Sequence, residues 1–327
     1  SAASDVYKRQ VVLGAGASRA AFPNGDRNGC LLPLMADFSR IVPVSAVLDS
    51  IGIGYADRNF EEVFSQLSEV SGLIAARERL EELVYDYFSS LVLPDEPTLY
   101  DHLVLSLRRK DVIATFNWDP FLIQAVRRNY ALGGPHPRLL FLHGNVALGY
   151  CLRDNVVGVR GDRCLTCGVL LSRSRLLYPV AEKAYDSDPI IAGNWKSLKN
   201  ALKTAFWVTV FGYSAPRSDA AAVSLFQEAW GGWQNRELEE FEFIDIRPES
   251  EVIETWKEFI HSHHYSFHTD IYRAWMFKHP RRTIEAFFDQ VLGSQLVEPN
   301  PIPKTASSLQ ELIDWYSPLI NAEPKGP

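Results

Sequence analysis

Four cysteines are too few to staple a chain of 327 residues, and three of them crowd into one segment at Cys151, Cys164 and Cys167. A disulfide framework is excluded, and a reducing compartment is expected. Positive charge is also short. Lys and Arg number 33 against 40 Asp and Glu, a formal net charge of −7, which argues against a protein that coats nucleic acid. No apolar run approaches the ~18 residues needed to cross a bilayer and no signal-peptide pattern opens the chain, so the expectation is a cytoplasmic protein without a membrane partner. There is no internal repeat and no low-complexity tract. An initiator Met is missing as well: Ser1 to Gln10 run uncapped into Val11, and Asp5 to Gln10 reads as the translation of a sequencing-library adapter. Residues 1–10 are therefore expected to be adapter-derived, with the first strand partly native from Val11 onward.

What remains is a globular composition, 46% hydrophobic and 22% charged. Short apolar runs alternate with helical patterns. Val11 to Leu13 reads as a buried strand entering the glycine turn Gly14-Ala15-Gly16-Ala17-Ser18. From Asn59 to Leu91 apolar residues recur at helical spacing: Phe60, Val63, Phe64, Leu67, Val70 and Ile74, then Leu80, Leu83, Val84 and Phe88. Strand character returns over Asp111 to Phe116, Leu139 to Leu142, Trp207 to Phe211 and Phe241 to Ile246, with helices after Asp119-Pro120 and over Asp219 to Trp230, Glu249 to His261, Arg281 to Val291 and Ser308 to Ile320. Short apolar strands separated by helices predict an α/β domain built on a doubly wound parallel sheet, Rossmann-like, with a helical insertion and a small Cys-containing, zinc-ribbon-like module.

Chemistry-bearing residues gather at predicted strand ends, where open α/β sheets bind ligands. The small residues of Gly14 to Ser18 let a phosphate approach backbone amides closely. The usual third glycine is replaced by Arg19, so the turn alone equally suits an ordinary βα connection. Asn117, in Thr115-Phe116-Asn117-Trp118-Asp119, offers a carboxamide that holds a hydroxyl or a water without ionising. Asp119 before Pro120 suits a helix N-cap. His143, in His143-Gly144-Asn145, titrates near neutral pH and is a candidate general base. Cys151, Asp154, Cys164 and Cys167 have the spacing of a tetrahedral zinc site with one carboxylate ligand, and a degenerate site that folds without metal is the alternative. Cys30 lies far off. His261, His263, His264 and His268 straddle a predicted helix end and are not read as a metal site.

These motifs, in this order, resemble the sirtuin superfamily. The resemblance covers roughly 11–248, leaving out the helical insertion, and includes Cys151, Asp154, Cys164 and Cys167, where that family carries two cysteine pairs, the strand end Gly212-Tyr213-Ser214, and Asp245 at the last sheet strand. It implies a NAD-binding domain over 11–292, with an insertion about 35–110 and a Cys module about 149–170, followed by a helical C-terminal extension, 293–327. It also implies that Gly14, Ala15, Gly16 and Ser18 hold the pyrophosphate and that Gly212, Ser214 and Asp245 hold the adenosine half. Asn117 and His143 would act on the nicotinamide ribose, Asp119 would support the nucleotide site through the backbone, and the zinc would be structural.

Departures from the deacylating branch are clear. Pro23-Asn24-Gly25-Asp26 stands where that branch has Pro-Asp-Phe-Arg, Phe116 stands where it has Gln, and the gap from Ser18 to Thr115 is longer. The chain instead looks like bacterial sirtuin-like proteins that hydrolyse NAD, many linked to antiphage defence. A NAD glycohydrolase is expected, with a NAD-dependent deacylase and a non-catalytic NAD or ADP-ribose sensor as alternatives. The face of the insertion carrying Phe60, Phe64 and Leu67 could cover the cleft, pair with a second copy or a regulatory protein, or be buried against its own sheet.

Overall fold

The computed structural model describes residues 7–179, 185, 188–215, 219–231, 234 and 236–323. Among the described residues, nine strands form two sheets. β1 (Lys8–Leu13), β2 (Val112–Thr115), β3 (Arg138–Phe141), β7 (Ala205–Phe211), β8 (Glu240–Ile244) and β9 (Tyr265–His268) make the large sheet, in the order β3-β2-β1-β7-β8-β9. Every neighbouring pair is parallel. The small antiparallel sheet, β5-β4-β6, is built from β4 (Leu148–Cys151), β5 (Val156–Val159) and β6 (Ser172–Arg173).

Alternation along the strands explains the two layers. Val11 and Leu13 point into one core, and Val12 points into the other. The first core takes the insertion helices Phe60–Glu69 and Ile74–Ser89, the helix Phe121–Ala131 and the C-terminal helix Leu309–Asn321; the second takes Pro189–Leu202, Ala220–Trp230 and Glu249–Trp256. With both faces covered, residues 11–13, 112–114 and 205–208 read as continuous apolar runs, as expected for a doubly wound sheet, whereas Glu242 interrupts β8. The expected fold class is the one observed.

β1 begins at Lys8, three residues before Val11. Arg9 forms a buried ion pair with Asp111 at 2.9 Å, and Tyr7 packs against Phe206 and Phe288. Residues 1–6 of the opening segment lie outside the described residues. In the insertion, Phe60, Phe64 and Leu67 are buried, with Phe38 stacked on Phe60 at 4.0 Å and Tyr178 on Phe64 at 5.0 Å. This face serves the core of its own domain and is not open to a second chain. Val70 and Ile74 fall off the buried stripe and are exposed. They flank the break between the two helices, where the register of the apolar pattern changes.

Among the elements not apparent from the sequence, three border the sheet or its covering helices. The helix Leu99–Leu105 is closed by a capping box between Thr98 and Asp101. The helix Pro189–Leu202 starts on Asp188, whose carboxylate accepts from the amides of Ile190 and Ile191 with Pro189 in the first turn. β9 ends at His268, in the stretch where the sequence shows only a histidine cluster. The helix expected over Glu249 to His261 stops at Trp256, and that over Arg281 to Val291 is the short helix Thr283–Phe287 followed by a π turn.

The strand order reverses at β1 and β7, and there the chain is tightest. Gly14 donates its amide to the carbonyl of Phe211, and Gly16 donates to Gly212, both at 3.0 Å. Gly212 has φ +61°, and a Cβ on it would sit 2.2 Å from the amide nitrogen of Ala17. Neither partner is a flexible side chain. Gly212→Ala is therefore expected to cost on the order of 4 kcal/mol, because backbone clash adds to the left-handed conformation. Urea unfolding of the variant checks this, and a loss under about 1 kcal/mol would show that the two turns can part.

Candidate functional site

A cleft of about 930 Å³ opens at the carboxyl edge of the sheet, above the β1/β7 reversal. Gly14, Ala15, Gly16, Ser18, Asn117, Asp119, His143, Gly212, Ser214 and Asp245 all line it, so ten residues from five separate strand ends meet in one space. Open parallel sheets place ligands at such a reversal because the connections diverge there and leave a crevice. Its volume is that of a cofactor-sized pocket.

Asn117 is fixed from below. Its side-chain nitrogen donates to the Gly14 carbonyl and to the Ser18 hydroxyl, both at 2.9 Å. Both amide hydrogens are thus engaged, and the atom left for the cleft is the carbonyl oxygen, an acceptor. Ser18 passes its own hydrogen to Asp119 at 2.6 Å and receives a hydrogen bond from Tyr100, also at 2.6 Å. Its hydroxyl is therefore committed to the Asn117 support. Asp119 accepts from the Phe121 amide at 3.3 Å, but it is not the N-cap that its position before Pro120 suggests: Pro120 holds that place and Asp119 stands one residue before it. Asn145 joins the ends of β2 and β3: its side-chain nitrogen donates to the carbonyls of Asn117 and Asp119, and its oxygen accepts from Ala147.

Burial pushes the pKa of the Asp119 carboxyl up to about 6, well above the usual aspartate range. A carboxyl group raised on folding contributes most when protonated. That contribution is complete below about pH 4 and is lost as pH rises through about 6. Relative to Asp119→Asn, the wild type is expected to lose up to about 3 kcal/mol of stability between pH 4 and pH 7. Urea unfolding of both proteins at the two pH values measures this, and a constant difference would contradict it.

His143 stands at the end of β3 with its ring edge on Phe116, centroids 4.8 Å apart. Its Nε2 lies 3.2 Å from the Tyr185 hydroxyl and 3.8 Å from Oδ1 of Asp219. Phe116 stacks in turn on Tyr213 at 4.1 Å, giving the cleft an apolar wall. Gly144, at φ +78°, makes the sharp exit, since a Cβ there would lie 2.1 Å from the Arg175 carbonyl. At the far end, Asp245 is gripped by Arg247 at 2.7 Å, and Ser214 is exposed at the mouth.

Sequence reasoning missed Tyr100, Asn145, Tyr185 and Asp219. Asn145 stands in the His143-Gly144-Asn145 motif without a role there, and Asp219 reads only as a helix start. Tyr100 and Tyr185 carry no local signal, because their partners are distant in sequence.

In the small sheet, the ligand atoms of Cys151, Asp154, Cys164 and Cys167 all lie within 4.8 Å of one another. Sγ of Cys151 is 3.5 Å from Sγ of Cys167, and Oδ2 of Asp154 is 3.2 Å from Sγ of Cys164. A tetrahedron with Zn–S bonds of about 2.3 Å has edges near 3.8 Å, so the four atoms fit around one zinc ion. The sulfur separation is far from the ~2.05 Å of a disulfide. The turn from Cys164 to Gly168 is closed by a hydrogen bond between them at 2.8 Å, with Gly168 at φ +75°. Cys30 lies outside this cluster. Of the histidines, His264 pairs with Glu240 at 3.1 Å and His268 lies 3.6 Å from Glu242. The expected helix end is not there: these residues follow Trp256 by several positions, and His268 belongs to β9.

No family model matches the chain, and no curated protein matches it. Solved structures do. One is a Sir2 homologue in complex with NAD, 14% identical, with TM-score 0.41, covering 81% of this chain and 84% of that one. Two others are variants of a Sir2 homologue in complex with ADP-ribose, each 13% identical, covering 98% of this chain and 96% of theirs, with TM-scores of 0.39 and 0.40. No helix of the described residues is long and apolar enough to cross a membrane.

Proposed function

We propose that the protein is a NAD glycohydrolase that releases nicotinamide and ADP-ribose. The observation that carries this reading is the convergence of Asn117 and His143, from adjacent strand ends, on one cleft at the strand-order reversal. The pyrophosphate would lie over Gly14, Ala15 and Gly16, with Ser18 acting beneath it through Asn117 and Asp119. The adenosine half would run toward Gly212, Ser214 and Asp245.

Nicotinamide leaves with the bonding pair on its ring nitrogen, so a cationic ring becomes neutral and needs no general acid. The developing charge falls on the ribose, as in other glycoside cleavage. The carbonyl oxygen of Asn117 is the right kind of group to face that charge or to hold the attacking water. Water bonds to the anomeric carbon and gives its proton to His143. The aromatic wall of Phe116 and Tyr213 restricts solvent near the reacting centre. The zinc, held by Cys151, Asp154, Cys164 and Cys167, would stabilise the small module and take no part in this chemistry. The setting we propose is bacterial antiphage defence in the cytoplasm.

The test is to incubate the purified protein with NAD alone and with NAD plus an acetyl-lysine peptide, then identify the products. Nicotinamide and ADP-ribose from NAD alone support the hydrolase. Release that depends on peptide identifies a deacylase, and binding without turnover identifies a sensor.

A further inference from the structure

Asp219 immediately precedes the helix Ala220–Trp230, yet its side chain makes no cap hydrogen bond. Its carboxylate turns to two tyrosines instead. Tyr185 donates to Oδ1 at 3.4 Å and Tyr213 donates to Oδ2 at 3.2 Å. The Tyr185 oxygen is also the atom 3.2 Å from Nε2 of His143, and the two rings stack with centroids 5.8 Å apart. A phenol has one hydrogen, and a carboxylate is the stronger acceptor for it. Nε2 therefore carries its own hydrogen and donates it to Tyr185. Burial and the Asp219 charge hold the Tyr185 hydroxyl well above its usual range, which keeps that hydrogen on the phenol.

We propose, on the basis of the glycohydrolase reading, that Asp219 and Tyr185 are positioning residues for His143. They fix its tautomer so that Nδ1 is the atom that takes the proton, and they stabilise the imidazolium that results. The logic is that of a base oriented by a third group, here through an intervening tyrosine. Among the described residues, the polar groups nearest the ring are Tyr185 and Asp219 directly and Tyr213 through Asp219. Glu61 from the insertion adds a negative charge felt at Tyr213, and Asp119 lines the same cleft.

Asp219→Asn removes a negative charge 3.8 Å from Nε2. The imidazolium loses support, its pKa falls, and the acid limb of nicotinamide release is expected to move down by about 0.5–1 pH unit. A weaker base also lowers the maximum rate, by about tenfold, with KM for NAD changing less than about twofold. Tyr185→Phe should give a smaller change in the same direction, and Asp219→Glu should restore part of the loss. NMR titration of His143 in the resting protein supplies a readout independent of turnover, and the same downward shift is expected there. If Asp219→Asn does not fold, the Tyr185→Phe and Asp219→Glu proteins decide by the same two measurements. An unmoved acid limb together with an unmoved His143 titration overturns the assignment. A wild type that releases no nicotinamide defeats the glycohydrolase reading, and the His143 titration still decides whether Asp219 and Tyr185 govern that ring.

Discussion

Asn117→Ala and His143→Ala are each expected to reduce nicotinamide release from NAD by about 10²–10⁴-fold while leaving the protein folded. Asn117 presents a single acceptor oxygen to the cleft because Gly14 and Ser18 occupy its nitrogen. Alanine removes that oxygen and leaves Ser18 still bonded to Asp119 and Tyr100. His143 is 7% exposed and lines the cleft, so truncating it opens space at the cleft wall. The double variant should be little worse than the worse single one, since residues serving one transition state are strongly non-additive. Near-normal turnover by both single variants would remove the site assignment. Loss of cooperative thermal melting in both would show that their roles are structural.

Local signals made the sheet legible. β1, β2, β3, β7 and β8 are largely apolar runs that end at Gly, Asn, His or Asp, and these ends meet at one cleft. β9 was not legible, because Tyr265-Ser266-Phe267-His268 lies at the edge of the sheet and is only half-buried along its length. The capping box of Thr98 and Asp101 was readable in principle. What Asp101 also does was not: it holds Arg128 and Asn129 of the helix Phe121–Ala131, contacts that exist only after the insertion folds back on the sheet. The same holds in the cleft. Asn117 and His143 are announced by strand-end motifs, whereas Tyr100 and Tyr185 reach Ser18 and His143 across 82 and 42 residues. The groups proposed to touch substrate lie at strand ends, and the groups that hold them come from wherever the chain returns.

Protein purified without added metal is expected to contain about one zinc ion per chain, and stripping the ion should melt the small sheet. The end of that sheet near the cysteines has little else to hold it, whereas its other end is anchored by Leu148 and Val159 packed on Ile123 and Phe141. Leu152 and Leu165 are 83% and 100% exposed, and the buried centre at the cysteine end consists of Cys151, Cys164 and Leu171. A structural zinc site contributes on the order of 10 kcal/mol, well beyond what three buried side chains supply. Cys164→Ser should therefore lose the metal, whereas Cys30→Ala, outside the cluster, should keep it. Asp154→Ala should weaken retention, and Asp154→Cys should strengthen it, because a fourth thiolate suits zinc better than a carboxylate. The consequence reaches the cleft. Ser174, just after β6, donates to the Asn145 carbonyl at 2.7 Å, and Asn145 clamps the carbonyls of Asn117 and Asp119. Metal loss should thus lower turnover through a misplaced Asn117, and added zinc should restore it. A metal-free preparation whose small sheet melts no earlier than a zinc-loaded one would show that Cys151, Asp154, Cys164 and Cys167 hold their geometry through hydrogen bonds alone.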